Sequence, residues 1–177
     1  MVTLVAVKGS IMKILKVSDC CGGFVDCLVD DDVFEIAKLH RWCLKGKNKD
    51  ISYVGRSARE GKSTINVRLH REVAGALEGE CVDHVNQNKL DNRRSNLRLC
   101  SHSENMRNIV KNRGECTYKG VSIDRRLKYK KYRSTIKCNG KYINLGYFST
   151  EKEAAIAYNK AAKELHGEFA CLNVICD

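Results

Sequence analysis

Residues 81–105 read CVDHVNQNKLDNRRSNLRLCSHSEN, and the rest of the chain is organised around this stretch. An acid and a histidine, Asp83 and His84, stand side by side near its start. A segment rich in Asn and Arg follows, and Asn105 closes the stretch. Because polar groups are buried at a cost, packing alone does not account for so many metal-capable and phosphate-capable side chains between two apolar runs.

The stretch predicts two short strands joined by a polar loop. Residues 81–85 and 97–100 have the composition of strands, and residues 86–96 carry the turn-forming residues between them. Successive strand residues point to opposite faces, so Asp83 and His84 can act together only where the chain bends. We therefore expect His84 at the end of its strand.

A helix is expected directly after the second strand. Ser101 and Glu104 have the spacing of a capping box, in which each side chain satisfies a backbone amide of the first helical turn. A helix from about His102 would place Asn105 in its first turn, facing Asp83.

These residue types fit the hydrolysis of a phosphodiester. His84 is a natural base near neutral pH, and it can take the proton of an attacking water. A divalent cation stabilises the charge on the phosphate and on the leaving oxygen. Asp83 and Asn105 offer hard oxygen ligands, which suit Mg²⁺ or Mn²⁺ better than zinc.

The same residues resemble a known family. Asp83-His84, residues 90–98 and Asn105 closely resemble the HNH homing endonucleases of phages and introns, and Trp42 and residues 69–71 fit that pattern. The resemblance implies a core of two strands and a helix, of the His-Me finger type, that binds one divalent cation.

The resemblance also implies a role for each motif residue. His84 would be the general base, and Asp83 and Asn105 would be the metal ligands. Asn96 would fix the loop that carries His84 through backbone hydrogen bonds. Much of the wider group has His where Asn105 stands, so His102 is the alternative ligand, and Asn92 is the alternative to Asn96.

Three arginines of the loop have two possible uses. Arg93, Arg94 and Arg98 are expected to contact DNA phosphates or to form internal ion pairs, and they are not expected to take part in the chemistry. An alternative for residues 91–96 is a tight turn with no function.

The first 80 residues predict strands and two short helices that complete the nuclease domain and touch flanking DNA. Asp30 to Asp32 provide an acidic helix start, and that helix runs to about Leu39. A second helix begins at His70 and is closed by Gly79, whereas His40 and His70 are each isolated. The strand-like runs are residues 11–17, 24–29, 42–44, 51–54 and 65–69.

The C-terminal third predicts a three-stranded antiparallel sheet packed on one helix. Asn139-Gly140 is a strong hairpin signal. Thr150 and Glu153 form a second capping box, and the alanine-rich helix after it can pack closely on a sheet. The expected strands are residues 118–123, 131–137 and 141–148.

This third resembles the DNA-binding domain of plant ethylene-response factors, a module that also occurs fused to phage HNH endonucleases. In that family the sheet reads the bases. Ser122, Asp124 and Asn144 stand where the family has Arg or Trp, so its base preference is not transferred. The matching motifs are YKGV at 118–121, LGYF at 145–148, AAIAY at 154–158 and LHGEFACLN at 165–173. The resemblance and the basic sheet together predict DNA contacts at Lys119, Arg125, Arg126, Arg133, Thr135, Lys137, Tyr142 and Asn144.

Charge supports an acidic partner. The net charge is +11, and the C-terminal residues 101–177 hold 15 Lys/Arg against 8 Asp/Glu, a net of +7. No run of apolar residues is long enough to span a membrane, and the N-terminus lacks the charge pattern of a signal peptide. An intracellular protein, in the cytoplasm of a bacterial or other host cell, is expected.

The ten cysteines have no Cys-x-x-Cys spacing that would indicate a zinc site. Most are expected to be reduced thiols that pack as small apolar residues. A structural zinc site built from distant cysteines is the alternative.

The sequence therefore predicts an α+β, site-specific DNA endonuclease that acts as a monomer on duplex DNA and nicks one strand. The expected domains are a nuclease domain at 1–112, a linker at 113–117 and a DNA-binding domain at 118–175. One alternative is a DNA-binding regulator that has lost its nuclease activity. Another is an RNA-binding protein, because a basic sheet with tyrosines could stack single-stranded bases.

Overall fold

A computed structural model describes residues 11–19, 21–46, 52–109, 115–126 and 131–175. The chain divides into two units, Met1–Ser101 and His102–Asp177. Part of the predicted linker at 113–117 lies outside the described residues, and the predicted functional limits of the domains stay a prediction. No helix among the described ranges is both long and apolar enough to cross a membrane.

The first unit is built on a five-stranded sheet with the order β2-β1-β3-β4-β5. Its core cluster contains Trp42 and Leu69, together with aliphatic residues of β1, β2 and α1. The elements of this unit are β1 (Met12–Ser18), β2 (Phe24–Asp30), α1 (Asp31–Ala37), β3 (Cys43–Lys45), β4 (Tyr53–Glu60), β5 (Ser63–Arg68), α2 (Leu69–Ala74), β6 (Cys81–His84), a 3₁₀ turn (Arg94–Asn96) and β7 (Leu97–Cys100).

The β1–β2 hairpin shows how the alternation of the sequence builds one face of this sheet. Leu15 and Val17 are buried, whereas Lys16 between them is exposed and pairs with Asp26 of β2 at 2.5 Å. The Asp19 carboxylate accepts a hydrogen bond of 2.7 Å from the amide of Gly23, which closes the turn. The strand period thus selects the buried face, as predicted.

Three predicted boundaries in the first unit are wrong. The strand expected at 51–54 is β4, which continues to Glu60. The second helix does not continue to Gly79: it ends at Ala74, and Gly75 takes the left-handed conformation with φ of 64°. Glycine adopts that conformation at no steric cost, so Gly75 is the helix terminator. Leu69 begins this helix instead of ending the strand, because its side chain belongs to the core.

A separate two-stranded ribbon, β6 with β7, carries the central stretch of the sequence. The loop between its strands lies along the edge of the large sheet. Leu28 of β2 donates its amide to the Leu90 carbonyl at 2.7 Å and accepts the Asn92 amide at 2.8 Å. The polar loop therefore completes the hydrogen bonds of an edge strand, which would otherwise be exposed.

The second unit contains the predicted three-stranded antiparallel sheet, in the order β10-β9-β8, with one long helix against it. Its first strand begins at Val121 and not at the predicted residue 118. Ile136, Tyr158 and Ala162 form its buried core. A Cβ on Gly120 would stand 2.1 Å from a ring carbon of Tyr158, so only glycine fits there. The elements are α3 (His102–Arg107), β8 (Val121–Asp124), β9 (Lys131–Cys138), β10 (Lys141–Phe148), α4 (Glu151–His166) and a 3₁₀ turn (Gly167–Phe169).

Two local signals in this unit are confirmed. Asn139 and Gly140 both have positive φ, of 50° and 80°, at the turn between β9 and β10, which is the signature of a two-residue hairpin loop. Thr150 accepts the amide of Glu153, and the Glu153 carboxylate accepts the amide of Thr150, so the capping box is complete. The α+β class is therefore confirmed, whereas the finger arrangement of two strands and a helix stays a prediction.

Candidate active site

Asp83 and His84 are the last two residues of strand β6. Asp83 lies directly across from Arg98 of β7, and His84 lies across from Leu97. The Arg98 Nε and Nη2 atoms donate to Asp83 Oδ2 at 2.9 and 2.6 Å. The cross-strand register therefore places a guanidinium against the carboxylate, and His84 occupies the strand end that the sequence predicted.

His84 is buried in a cluster of aromatic rings. Its ring centroid lies 5.3 Å from that of His70 and 6.3 Å from that of Tyr53. Burial lowers the pKa of His84, because desolvation disfavours the charged imidazolium, and a hydrogen bond with Asn92 opposes that shift. The ring is therefore set up in its neutral form, which is the form that can accept a proton.

Asn92 fixes the tautomer of that neutral ring. The Asn92 amide nitrogen donates to the Lys89 carbonyl at 3.2 Å, so the amide oxygen is the atom that faces His84 Nε2, at 3.3 Å. An amide oxygen can only accept, and Nε2 must therefore carry the hydrogen. In the neutral imidazole, Nδ1 is then the basic nitrogen.

Asn92 is also the deepest polar residue of the site. It is fully buried, and its amide nitrogen donates to Cys27 Sγ of β2 at 3.2 Å. Burial raises the pKa of the Cys27 thiol to about 11, so the sulfur stays protonated. Asn92 joins β2, the loop and His84 in one network of hydrogen bonds, and the sequence offered it only as an alternative to Asn96.

Asn96 closes the loop that follows His84. Its side-chain oxygen accepts the Asn86 amide at 2.9 Å, and its amide nitrogen donates to the Asp91 carbonyl at 2.8 Å. Its carbonyl accepts the Val85 amide at 2.9 Å. These bonds have the form that the family resemblance implied for Asn96, and its catalytic role stays a prediction.

The loop arginines all lie against carboxylates. Arg93 clamps the buried Asp91 through two bonds of 2.7 Å, and the guanidinium holds the pKa of Asp91 below its usual value. Arg94 makes two bonds of 2.7 Å to Asp32 of α1. With the Arg98–Asp83 pair, these are the internal ion pairs that the sequence left open as one of two uses.

His70 contributes to the site although the sequence treated it as isolated. It is 4% exposed, and its ring centroid lies 5.0 Å from that of Tyr53. Burial and the nearby His84 lower the pKa of His70 to about 3, so it is neutral. Its Nδ1 is buried and has no hydrogen-bond partner among the described residues.

Two cations complete this cluster. Arg68, the last residue of β5, places its guanidinium carbon 5.3 Å from the Tyr53 ring centroid. The Lys89 ammonium lies 4.8 Å from the same centroid. Neither residue belongs to a recognisable motif, and only the register of β4 with β5 and the path of the loop bring them together. No sequence signal could have found them.

Asn105, the second predicted metal ligand, is a half-buried residue of α3 in the second unit. Its carbonyl accepts the Asn108 amide at 3.2 Å. The convergence of Asn105 with Asp83 stays a prediction, as does the use of His102 in its place. Within the described ranges, no group of three or more His, Cys, Asp and Glu side chains could hold a metal ion, and the eight cysteines placed there form no disulfide with one another.

The predicted DNA contacts of the second unit differ in their surroundings. The Lys119 ammonium is half-buried and donates to the Arg107 carbonyl, and desolvation lowers its pKa. Thr135 lies across from Asn144 in the β9–β10 pair. Tyr142 is 76% exposed, and the Lys137 ammonium lies 5.6 Å from its ring centroid.

Three arginines of the sheet segment also have distinct environments. Arg125 pairs with Glu115, and Arg126 makes bonds of 3.0 and 2.7 Å to Asp124. Arg133 is half-buried, and its Nε has no hydrogen-bond partner within the described part of the chain. The DNA contacts of all three arginines remain predictions. To bind DNA, Arg125 and Arg126 would have to release their carboxylate partners and pair with a phosphate instead.

Comparison with known proteins gives two matches. A family model described as HNH endonuclease matches residues 70–107. A protein of Acanthamoeba polyphaga mimivirus named as an uncharacterized HNH endonuclease is 33% identical over 149 residues, which cover 80% of this chain and 75% of that protein. No solved structure matches the chain.

Proposed function

The chain belongs to the HNH endonucleases, nucleases that hydrolyse DNA, and we propose that it is a metal-dependent, site-specific enzyme of the homing type. It would cut one strand of duplex DNA per monomer. The neutral, tautomer-fixed His84 at the end of β6 is the observation that carries this proposal.

His84 would act as the general base. With its Nε2 hydrogen directed to Asn92, the ring presents the Nδ1 lone pair to an attacking water and can take its proton. The Asn92 oxygen would then stabilise the imidazolium that forms, because it already accepts a hydrogen bond from Nε2. A general base of this kind contributes about 10²- to 10⁴-fold to the rate.

The residues proposed as metal ligands fit a hard divalent cation in their chemistry. The Asp83 carboxylate and the Asn105 amide supply oxygen donors of the kind that Mg²⁺ and Mn²⁺ prefer. When bound, the cation would stabilise negative charge on the phosphate and on the leaving oxygen. Arg98 would orient the Asp83 carboxylate, which it already contacts at 2.6 Å.

Sequence recognition is assigned to the second unit, as a domain of the ethylene-response-factor type. Its described sheet carries an exposed tyrosine with a lysine over its ring, and it belongs to the most basic part of the chain. A β-ribbon can enter the major groove of duplex DNA, where base edges are distinguishable. Phosphate contacts would supply affinity and base contacts the specificity.

The test is cleavage of a supercoiled plasmid that carries a site selected from a random library. With Mg²⁺, the protein should produce relaxed circles, and His84→Ala should lower the rate about 10²- to 10⁴-fold while duplex binding is kept. His40→Ala is the matched control, because His40 is an exposed histidine of the same unit. Chelation of the cation should stop the reaction.

Other outcomes would change the proposal. Normal cleavage by His84→Ala would show that another group is the base. Linear product at the earliest times would indicate a dimer that cuts both strands. Tight binding without any cleavage would support the inactive regulator instead.

A further inference from the structure

We propose that Arg68 and Lys89, arranged around the Tyr53 ring, form a phosphate-binding site beside His84 that holds the DNA backbone next to the bond being cut. This inference rests on the proposed function, because it takes DNA as the ligand. It assigns substrate contacts to two residues that the sequence analysis gave no role.

The geometry brings two cations to one aromatic ring. Arg68 comes from the end of β5 and Lys89 from the loop after β6, and their cationic groups lie 5.3 and 4.8 Å from the Tyr53 centroid. The same ring lies 5.0 Å from His70 and 6.3 Å from His84, between centroids. A phosphate bound by either cation would therefore lie near the proposed base.

Within the part of the chain that the structure describes, Arg68 forms no ion pair with a carboxylate. Its guanidinium lies over the Tyr53 ring, whereas Arg93, Arg94 and Arg98 are each paired with an aspartate. The arginines of the motif hold the loop together, and Arg68 retains positive charge that can attract a phosphate.

The strand face that carries Arg68 adds no competing acid. Opposed residues share a face, and the register pairs Lys45 with Tyr53, Gly55 with Arg68, and Ser57 with Asn66. None of these described residues is acidic. The Lys45 ammonium donates to Ser57 at 2.7 Å and to Asn66 at 2.9 Å, so this face is polar and positively charged.

The electrostatics of His70 agree with a cation close by. Arg68 contributes to lowering the pKa of His70, after the larger effects of burial and of His84. Arg68 and Lys89 each bring positive charge to the surroundings of the Tyr53 ring.

The ring also prepares the guanidinium for binding. Cations are attracted to the face of an aromatic ring, and a planar guanidinium can donate two parallel hydrogen bonds to phosphate oxygens. Because Tyr53 already restrains Arg68, less side-chain entropy is lost when the phosphate binds. Contacts of this kind are independent of base sequence.

The test measures DNA affinity against salt in the His84→Ala background and without divalent cation, so that no DNA is cut. Arg68→Gln and Lys89→Gln should each reduce the slope of log affinity against log salt by about one, as expected for one lost phosphate contact. Each should lower affinity about fivefold near physiological salt. Lys16→Gln is the matched control, because Lys16 is a surface cation already paired with Asp26.

A second readout uses the active enzyme. At saturating DNA, Arg68→Gln and Lys89→Gln should slow single-turnover cleavage about tenfold, and Arg68→Lys should recover the salt slope but not the full rate, because it lacks the guanidinium fork. The two positions lie in different segments, so a folding defect in one variant leaves the other as a test.

The inference fails if both Gln variants keep the salt slope and cleavage rate of Lys16→Gln. Failure of the proposed function gives a different pattern: His84→Ala would cleave normally, whereas the salt slopes would still report whether Arg68 and Lys89 contact phosphate.

Discussion

Basic side chains are used in opposite ways in the loop of the first unit and in the sheet segment of the second. In the loop, the Arg93 side chain is 35% exposed, but its partner Asp91 is only 2% exposed. In the sheet segment, Arg125 is 74% exposed and its partner Glu115 is 61% exposed. The same residue type thus builds the interior of one region and forms the surface of the other.

The difference has an energetic consequence. Breaking a buried ion pair leaves an uncompensated charge and costs about 3–5 kcal/mol, whereas an exposed pair contributes about 0–1 kcal/mol. Charge in the loop should therefore determine whether the active site folds, and charge in the sheet should determine how strongly DNA binds.

The largest expected effect tests the loop. Asp91→Ala removes a carboxylate that is 1% exposed and that accepts bonds from Arg93 and from Asn86. Because Arg93 keeps partial access to water, we expect a loss of about 2–3 kcal/mol in the free energy of unfolding. Urea unfolding followed by fluorescence of Trp42, the one tryptophan of the chain, reports on this unit.

The matched control is Asp26→Ala, which breaks an ion pair whose side chains are 51% and 66% exposed. Its cost should be about 0.5 kcal/mol. Equal costs for the two variants would break the comparison, since burial would then not separate the two uses of charge.

A smaller effect concerns the pH dependence of the first unit. The pKa of His70 is lowered to about 3 in the folded chain, whereas an unfolded histidine titrates near 6.5. Below that pH the unfolded chain takes up a proton that the folded chain does not, so stability is complete above about pH 6.5 and falls toward pH 3. The slope reaches about 1.4 kcal/mol per pH unit.

His70→Gln should remove this contribution. Between pH 7.5 and 5.5, the wild type should lose about 1.4 kcal/mol more than the variant, as measured by urea unfolding at each pH. If wild type and variant lose stability equally as the pH falls, His70 is accessible to protons in the folded state. Burial would then not distinguish the charged groups of this site from those of the exposed sheet.

The smallest expected effect tests the sheet. Lys137→Gln should leave unfolding unchanged, because Lys137 is exposed and contacts the exposed Tyr142 ring. It should weaken duplex binding about fivefold, or about 1 kcal/mol, and reduce the salt slope by about one. Lys152→Gln on α4 is the control for a general loss of charge. If Lys137→Gln lowers the free energy of unfolding but leaves duplex binding unchanged, Lys137 is a structural residue and not a DNA contact.

Local chemistry could be predicted from the sequence. Strand β7 begins and ends where the apolar run predicted. The Asn139-Gly140 hairpin and the capping box of Thr150 and Glu153 are present. Each of these features depends on residues within a few positions of one another, so propensity and spacing are sufficient.

Partners that come from distant segments could not be predicted. The pairing of Arg98 with Asp83 depends on the register of two strands that are 15 residues apart. The contact of His70 with His84 depends on how α2 packs. The end of that helix at Gly75 instead of Gly79 also depends on this packing. Tertiary packing decides such features.

The hydrogen bonds of Asn92 also determine which segment of the chain would have to be transferred to another gene to keep this active site. Asn92 reaches Cys27 of β2 with its side chain and Leu28 with its backbone, so residues 70–107 that match the family model do not contain all the contacts that orient His84. A gene fusion that carried only this motif would lose the strand against which the loop is formed. A transferable active site would therefore have to include the β1–β2 hairpin. Recombination between this hairpin and the motif would separate His84 from the strand that orients it through Asn92.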